Sequence, residues 1–118
     1  MGMNLHIGGR VRKEGWKVLN IQPGESFDFI GDISDLDQFP YESCEMVYAS
    51  HVLEHVRQAD VPRTLAGIRR ILAPAGQLLV SVPDWDTLCH LFINPIAAPE
   101  VKWHALRMMM GGQTDEFD

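Results

Sequence analysis

One stretch of this chain, residues 46–84, restricts its possible folds more than any other. It contains an apolar run, MVYA, then a segment of helical periodicity that stops at residues 74–76, then a second apolar run, LLVSV, followed by Pro83-Asp84. This order is typical of a strand, a crossover helix and a second strand in a parallel sheet. Ligands of such sheets bind where strands end, so the polar residues after the first run are candidates for function.

The helix of this unit has a start signal and an apolar face. Asp60 is predicted to cap it, with Pro62 in the first turn. The residues whose helical spacing indicates the face packed on the sheet are Val61, Leu65, Ile68 and Leu72. We expect solvent around the three arginines that fall mostly on the opposite face, Arg63, Arg69 and Arg70.

Shorter apolar runs supply the other predicted elements. Strands are predicted at residues 3–7, 16–21, 27–30, 46–49 and 78–82, most of them followed by glycine or proline. Two more helices are predicted, one from Asp84 or Asp86 through Phe92 and one over residues 100–110, closed by Gly111-Gly112. The predicted fold is α/β, a three-layer, mostly parallel open sheet with flanking helices, in a single domain over residues 1–118.

Composition narrows the classes of function. Lys plus Arg number 10 and Asp plus Glu 16, and the net charge of -6 argues against general nucleic-acid binding. No apolar run approaches the ~20 residues of a membrane span. Cys44 and Cys89 lack metal-ligand spacing and no signal peptide precedes them, so we expect two small core residues and a cytoplasmic protein.

Glycines follow the first predicted strand, and an amide residue follows the second. Gly8-Gly9 lets the backbone approach a ligand with no Cβ in the way. In an open α/β sheet the first such turn holds the nucleotide-like part of a cofactor, and an acidic residue after strand two binds ribose hydroxyls. Gln22 stands at that place; it can hydrogen-bond a hydroxyl but lacks the charge of a carboxylate.

In this order the motifs resemble the class I S-adenosylmethionine-dependent methyltransferases, and among them the small type 11 methyltransferase-domain family, with a tail like that of one bacterial subfamily. The segments that carry the resemblance are LHIGGR, GWKVLNIQP, FIGDISDLDQFP, SCEMVYASHVLEHV, IRRILAPAGQLLVSVPD and GGQTDEFD. It covers nearly the whole chain. It implies a Rossmann-like sheet, S-adenosylmethionine as cofactor, and methyl transfer to an unidentified small-molecule acceptor.

The resemblance also implies roles for the residues of the cofactor turns. Gly8 and Gly9 would lie under the methionine and ribose of the cofactor, and Gln22 would occupy the ribose-binding position. Asp32 and Ile33 would frame the adenine, with Asp32 accepting from its amino group.

Two residues past strand four would, by the same resemblance, face the reacting groups. Ser50 and His51 would lie by the sulfonium and the acceptor. His51 is a candidate general base, since an unperturbed imidazole pKa of about 6.5 suits proton removal near neutral pH.

Several positions depart from the family pattern. Arg10 stands where a third small residue is expected, and His6 where relatives often have an acidic or amide residue. Cys44-Glu45 replace the usual Phe-Asp. The first two strands are separated only by residues 8–15, too few for the usual first helix.

The family fold continues past strand five into two more strands, whereas this sheet is predicted to be truncated to about five. The strand at 78–82 would then be an apolar edge, and exposed edges invite pairing. Either the helix at 100–110 or another chain should cover it. On this ground we expect a homodimer.

Two other functions stay open. His51, Glu54 and His55 match H-x-x-E-H, the inverted zinc-peptidase pattern, which needs both histidines on one helical face and a third ligand. The strand-like residues just before His51 disfavour that zinc hydrolase. Arg10 and Gln22 favour a different alternative, a catalytically inactive methyltransferase-fold module for binding or assembly.

Overall fold

The computed structural model of the protein describes residues 2–24 and 27–110. The strands and α-helices of this part are β1 (Met3–Ile7), β2 (Trp16–Asn20), β3 (Phe29–Ile30), β4 (Cys44–Ser50), α1 (Val61–Ile71), β5 (Leu72–Ser81), α2 (Trp85–Ile93) and α3 (Pro99–Met110). Short 3₁₀ turns lie at Leu53–His55 and Gln58–Asp60. The chain divides into two compact units, Met1–Ser81 and Val82–Asp118. The predicted single domain stays a prediction.

The first unit is built on a parallel sheet. Its five described strands lie in the order β3-β2-β1-β4-β5, and each adjacent pair is parallel. The predicted α/β fold with a parallel sheet is confirmed. Because β2 and β4 lie on opposite sides of β1, the chain changes its direction across the sheet between β3 and β4. The carboxyl ends of β1 and β4 therefore flank a topological switch point, the usual ligand-binding place of open α/β sheets.

The core lies where α1 and the loop between β3 and β4 pack on the sheet. Its buried residues are Leu5, Ile7, Leu19, Ile33, Leu36, Phe39, Cys44, Val47, Ala49, Ile68 and Ile71. They come from three strands, from that loop and from α1. Burial of such apolar surface stabilises a fold by roughly 25 cal/mol per Å².

The start of α1 is as predicted, with Asp60 at the N-cap position, but its end is not. The helix begins at Val61, directly after Asp60. The Asp60 side chain makes no capping hydrogen bond, and its Oδ1 lies 3.4 Å from Nη2 of Arg63 instead. The helix ends at Ile71, so the predicted end at residues 74–76 is wrong. Those residues belong to β5, whose pairing with β4 is irregular between Leu72 and Gln77.

The packed face of α1 is rotated from the predicted one. Thr64, Ile68 and Ile71 are its buried residues. Leu65 is 46% exposed, so the predicted burial of Leu65 is wrong. Thr64 takes an inward place because its hydroxyl is satisfied locally, donating to the Asp60 carbonyl at 2.9 Å.

One arginine of α1 is structural. Nη2 of Arg70 donates to the carbonyl oxygens of Leu36 and Phe39, both at 2.8 Å. The expectation of a solvated side chain is therefore wrong for Arg70, because two carbonyls of the loop between β3 and β4 replace water around its guanidinium. This contact fastens that loop to α1.

Four strands differ in length from the prediction. β2 ends at Asn20 and β3 begins at Phe29, so both are shorter than the predicted 16–21 and 27–30. β4 covers Cys44–Ser50 and β5 covers Leu72–Ser81, both longer than predicted, with a register shift between Cys44 and Met46. Val82 lies beyond β5. In the described part of the sheet β5 is an edge strand, as predicted.

The second unit contains α2 and α3. Asp84 caps α2 as predicted, accepting from the backbone N–H groups of Asp86 and Thr87 at 3.1 and 3.4 Å. The Thr87 hydroxyl donates to the same carboxylate at 2.9 Å, and these hydrogen bonds from Thr87 lower the pKa of Asp84. The prediction of a helix over residues 100–110 is confirmed by α3. Its closure at Gly111-Gly112, and the tail, lie outside the described residues.

Few residues of the second unit are buried. In the described helices Leu88 and Ala105 are, whereas Cys89 is only half-buried, so the predicted core position of Cys89 is wrong. Both helices are also short: none described here has the length and apolar character needed to cross a membrane.

Candidate functional site

The residues that follow β1 and β4 both have left-handed backbones. Gly8 has φ of 79° and His51 has φ of 54°. Glycine adopts this conformation freely, whereas histidine does so at a cost of roughly 1–3 kcal/mol, and such residues concentrate at functional sites. The His51 N–H donates to the carbonyl of Ser81 at 2.8 Å, which helps to hold it there.

The glycine turn after β1 is packed so closely that no side chain fits. A Cβ on Gly8 would lie 2.5 Å from Cγ2 of Val52, in the turn after β4. A Cβ on Gly9 would lie 2.6 Å from Nδ1 of His6. The two turns at the switch point are therefore in contact, and the glycines permit it.

His6 lies against this turn, in the middle of the sheet. Its ring packs against that of Tyr48, with ring centroids 4.8 Å apart. Burial lowers the pKa of His6. The neutral imidazole is thus favoured at the position where an acidic or amide residue is common in the family.

Asn20, the last residue of β2, is a site residue that the sequence reasoning missed. Its Nδ2 donates to the carbonyl of Gly9 at 2.9 Å, and its Oδ1 accepts from the N–H of Gln22 at 3.0 Å. Its own carbonyl accepts from the N–H of Gly31 at 2.9 Å. Asparagine near a strand end is a signal for such local bonds, but its reach to Gly9 cannot be read from spacing.

The predicted cofactor residues after β2 and β3 lie on neighbouring turns. Gln22 and Asp32 are exposed. Oδ1 of Asp32 accepts from the N–H and the hydroxyl of Ser34, at 2.9 and 3.0 Å, which orients the carboxylate. Ile33 as a whole is only 4% exposed and packs in the core, so it presents little surface to a ligand.

Polar residues also gather past β4. Ser50 ends the strand, aligned with Ser81 of β5. Oε1 of Glu54 lies 3.6 Å from Nδ1 of His51 and 3.8 Å from Nε2 of His55. One carboxylate thus lies between two imidazoles, and it can form an ion pair with either ring when that ring is protonated.

This cluster does not have the arrangement of a zinc peptidase. That pattern needs both histidines on one helix, whereas His51 precedes the 3₁₀ turn at Leu53–His55 and has a left-handed backbone. Over residues 2–24 and 27–110, no group of three or more His, Cys, Asp or Glu side chains could hold a metal ion. The zinc alternative gains no support from the geometry.

A family model described as a methyltransferase domain matches residues 11–80, more than half of the chain. The chain belongs to this methyltransferase domain family. The match spans the turns after β2, β3 and β4, and the resemblance stated from the sequence motifs is confirmed.

Two solved structures resemble this methyltransferase domain in fold. The trans-methyltransferase CalH in complex with SAH gives a TM-score of 0.52 at 21% identity, covering 70% of this chain and 33% of that one. A SAM-dependent methyltransferase from Archaeoglobus fulgidus gives a TM-score of 0.62 at 18% identity. This match covers 92% of this chain and 60% of that one. The domain therefore spans less than two thirds of either protein.

A curated relative matches a shorter segment. It is described as an uncharacterized 37.1 kDa protein in transposon TN4556 of Streptomyces fradiae, and it is 39% identical over 59 residues. The alignment covers 48% of this chain and 16% of that protein.

The methyltransferase domain has no helix between β1 and β2, as predicted from the short spacing of residues 8–15. An ion pair links this loop to the chain before β3: Nη2 of Arg12 lies 3.2 Å from Oδ1 of Asp28. Oδ2 of Asp28 in turn accepts from the N–H of Val18 at 2.9 Å. Arg10 is exposed in the same loop.

Proposed function

We propose that this methyltransferase domain binds S-adenosylmethionine at the carboxyl ends of β1, β2 and β4, with the turn after β3, and directs its methyl group to a small-molecule acceptor. The observation that carries the proposal is the pair of left-handed turns at Gly8 and His51, which flank the switch point of the sheet. Family membership supports the same cofactor.

The residues at this edge suit the functional groups of that cofactor. Gly8 is exposed and left-handed, so its backbone can approach the methionine part without a side chain intervening. The Gln22 amide offers both a donor and an acceptor to ribose hydroxyls. Asp32, oriented by Ser34, offers an acceptor to the adenine amino group. Ile33 would frame the same ring.

When bound, the cofactor supplies an electrophilic methyl group on a sulfonium, and the protein contributes position and exclusion of water. Ser50 would lie beside the sulfonium. His51 would accept the proton of the acceptor's nucleophile. Glu54, with Oε1 3.6 Å from Nδ1 of His51, would pair with the ring once it carries that proton.

The test is calorimetric titration of the protein with S-adenosylmethionine and S-adenosylhomocysteine. We expect saturable binding of both. No heat at about 1 mM of either ligand, where a site with a free energy near −4 kcal/mol would be half filled, would overturn the proposal and favour the inactive binding module.

We also propose that two copies of the domain pair through β5. In the described sheet this strand has one neighbour, β4, and it carries Leu78, Leu79 and Val80 at 37%, 43% and 41% exposure. Successive side chains point to opposite faces, so both faces of this edge are apolar and a second edge would bury them. A monomeric mass by light scattering at tens of micromolar protein would refute the dimer.

The location is a separate proposal. Cys44 and Cys89 are both free thiols, and burial raises the pKa of Cys44, which keeps that thiol protonated and unreactive. Unpaired thiols fit a reducing compartment, so we propose the cytoplasm. Fractionation of the cells that express the protein tests it.

A further inference from the structure

The parallel sheet has two faces, and the core cluster lies against only one of them. Residues paired across a parallel ladder share a face, and successive residues of a strand alternate between faces. Leu5 and Val47 therefore lie on one face, in the cluster that includes Ile68 and Ile71 of α1. The residues of the opposite face, named here the second sheet face, are Asn4, His6, Trp16, Val18, Met46, Tyr48, Gln77 and Leu79.

The second sheet face is largely apolar and uncharged. Leu79 is 43% exposed, and Trp16, Met46 and Tyr48 are partly exposed. The rings of Trp16 and Tyr48 pack edge to face with centroids 6.3 Å apart, so the aromatic surface extends across the strand between them. The one titratable imidazole of this face belongs to His6, and burial lowers its pKa, which favours the neutral ring.

The connections that would normally cover this face contain no helix. All-parallel sheets occur almost only with helices on both faces. Right-handed crossovers place their helices on opposite faces when the chain moves in opposite directions across the sheet. The crossover through α1 moves from β4 to β5, whereas the connections from β1 to β2 and from β2 to β3 move the other way. The described residues of those two connections form no helix, so the second sheet face lacks its usual cover.

The helices of the second unit expose apolar sides of their own. Trp85 and Phe92 of α2 are 53% and 42% exposed, and Trp103 and Met110 of α3 are 63% and 60% exposed. The members of each pair are seven residues apart, and residues at this spacing lie on one side of a helix. Each helix therefore has an exposed apolar side in addition to its buried residue.

The sheet face and the helix pair are similar in size. Four strands about 4.8 Å apart and about five residues long form a face of about 19 by 17 Å. Helices of 9 and 12 residues, each about 10 Å across, form a layer about 20 Å wide and about 14 to 18 Å long. A reciprocal contact between two copies uses both surfaces of each, about 600 Å² per copy in projection, near the roughly 800 Å² of a standard interface.

We infer that the second sheet face docks the α2–α3 pair of a second copy of the chain, and that two copies exchange this contact reciprocally. The net charge of -6 makes two copies repel each other, so a stable self-contact needs surfaces without acidic residues, as the second sheet face provides. The inference goes beyond the proposed function, since it involves no cofactor. It is also separate from edge pairing at β5, which would leave the second sheet face open.

Dilution of the wild-type chain tests this contact without any variant. Trp16 lies on the second sheet face and Trp85 and Trp103 on the exposed helix sides, and these are the three tryptophans of the chain. Tryptophan emission moves to longer wavelength when the indole becomes exposed to water. Between about 100 μM and about 1 μM, a range that brackets a Kd of about 10 μM, the sedimentation mass should halve and the emission should shift with it.

Glutamate variants test the two surfaces separately. Leu79→Glu places a charge on the second sheet face, and its control is Leu78→Glu, because Leu78 is 37% exposed on the other face of the same strand. Trp103→Glu places a charge on α3, with His104→Glu as the control at the next exposed position. Leu79→Glu and Trp103→Glu should each weaken the dimer about 100-fold or more, because an unpaired carboxylate would be buried twice, and the controls should not.

A mixture of Leu79→Glu and Trp103→Glu identifies which surfaces meet. In a reciprocal contact, their heterodimer keeps one wild-type contact, between the sheet face of the Trp103→Glu copy and the helices of the Leu79→Glu copy. The mixture should therefore form dimers at concentrations at which each variant alone is monomeric. Such recovery also shows that both variants are folded.

The emission shift on dilution together with recovery in the mixture supports the inference, and a monomeric wild type overturns it. A dimer that Leu78→Glu and Leu79→Glu weaken equally, while Trp103→Glu does not, is paired through the β5 edge and overturns it. A dimer weakened only by Leu79→Glu has two sheet faces packed on each other, which also overturns it. Gln77→Lys and Met110→Glu, on the same two surfaces, replace a variant that fails to fold.

Discussion

Cγ2 of Val52 fills the space that a side chain on Gly8 would need, 2.5 Å from the position of its Cβ. The two residues lie in the turns after β4 and β1, the strands that flank the switch point. Their contact brings the proposed acceptor side and the proposed cofactor side of the site against each other. The closeness of the approach makes several predictions concrete.

Gly8→Ala should destabilise the fold more than Gly15→Ala. Both glycines are left-handed, with φ of 79° and 85°, but nothing lies within 4 Å of a Cβ on Gly15. The control, Gly15→Ala, should therefore lose only the roughly 1–2 kcal/mol of unfolding free energy that a left-handed alanine costs. Gly8→Ala adds the clash with Val52, about 1–3 kcal/mol more. Urea unfolding measures both, and adding Val52→Ala to Gly8→Ala should recover part of the second term. Equal losses of unfolding free energy in Gly8→Ala and Gly15→Ala would mean that the Val52 side chain moves aside at no cost.

Acidification should destabilise the protein through His6. Burial lowers the pKa of His6 in the folded state, below the unfolded value of about 6.5. The unfolded chain therefore binds a proton first, and stability falls as the pH drops from about 6.5 towards the folded pKa. Urea unfolding between pH 7.5 and pH 5 should show this loss in the wild type, and His6→Phe should show a smaller one. The same pH slope in both proteins would assign the loss to other groups.

Arg70→Met should cost roughly 2–3 kcal/mol of unfolding free energy. The change keeps the apolar stem but leaves the carbonyls of Leu36 and Phe39 without their charged donor. Arg69→Met, at an exposed position of the same helix, should stay within about 0.5 kcal/mol of the wild type. Chemical denaturation of the two variants gives the comparison. Similar unfolding free energies for the two variants would show that water satisfies the two carbonyls as well as the guanidinium does.

Gln22→Asp should tighten binding of S-adenosylhomocysteine several-fold. A carboxylate accepts a stronger, charge-assisted hydrogen bond from a ribose hydroxyl than an amide does, and hydrogen bonds to charged groups contribute roughly 1 kcal/mol more. Its backbone N–H can still donate to Oδ1 of Asn20. Calorimetry at pH 7.5 is the measurement, with Gln77→Glu, at an exposed position of β5, as the control for added charge. A variant that binds no better would place the ribose elsewhere.

His51→Ala should lower kcat by about 100-fold if His51 accepts the proton. His90→Ala, an exposed histidine of α2, is the control and should turn over as the wild type does. If the turnover of His51→Ala is unchanged at saturating cofactor, the site needs no general base and acts by aligning the acceptor with the methyl group. His51→Gly provides a second readout, because glycine relieves the left-handed backbone and should be about 1 kcal/mol more stable than His51→Ala.

Much of the fold followed from local patterns. The apolar runs ending at Gly8 and before Pro83 became parallel strands, because short apolar runs bounded by glycine or proline are typical of strands. Asp84 capped α2 from two and three residues away, which is within the reach of one turn. The family motifs were also local, and they were enough to place Gln22 and Asp32 on neighbouring turns.

The sequence by itself determined the order of the helices and strands, the parallel arrangement that this order indicates, and the family. These follow from patterns of residues within one helix or strand. Only the tertiary structure decided which side chains meet. Arg70 reaches a carbonyl 34 residues away, and Asn20 one 11 residues away. The left-handed turn of His51 depends on Ser81 of another strand. Contacts of this kind depend on how the strands are ordered in the sheet, and no local pattern in the chain encodes that order.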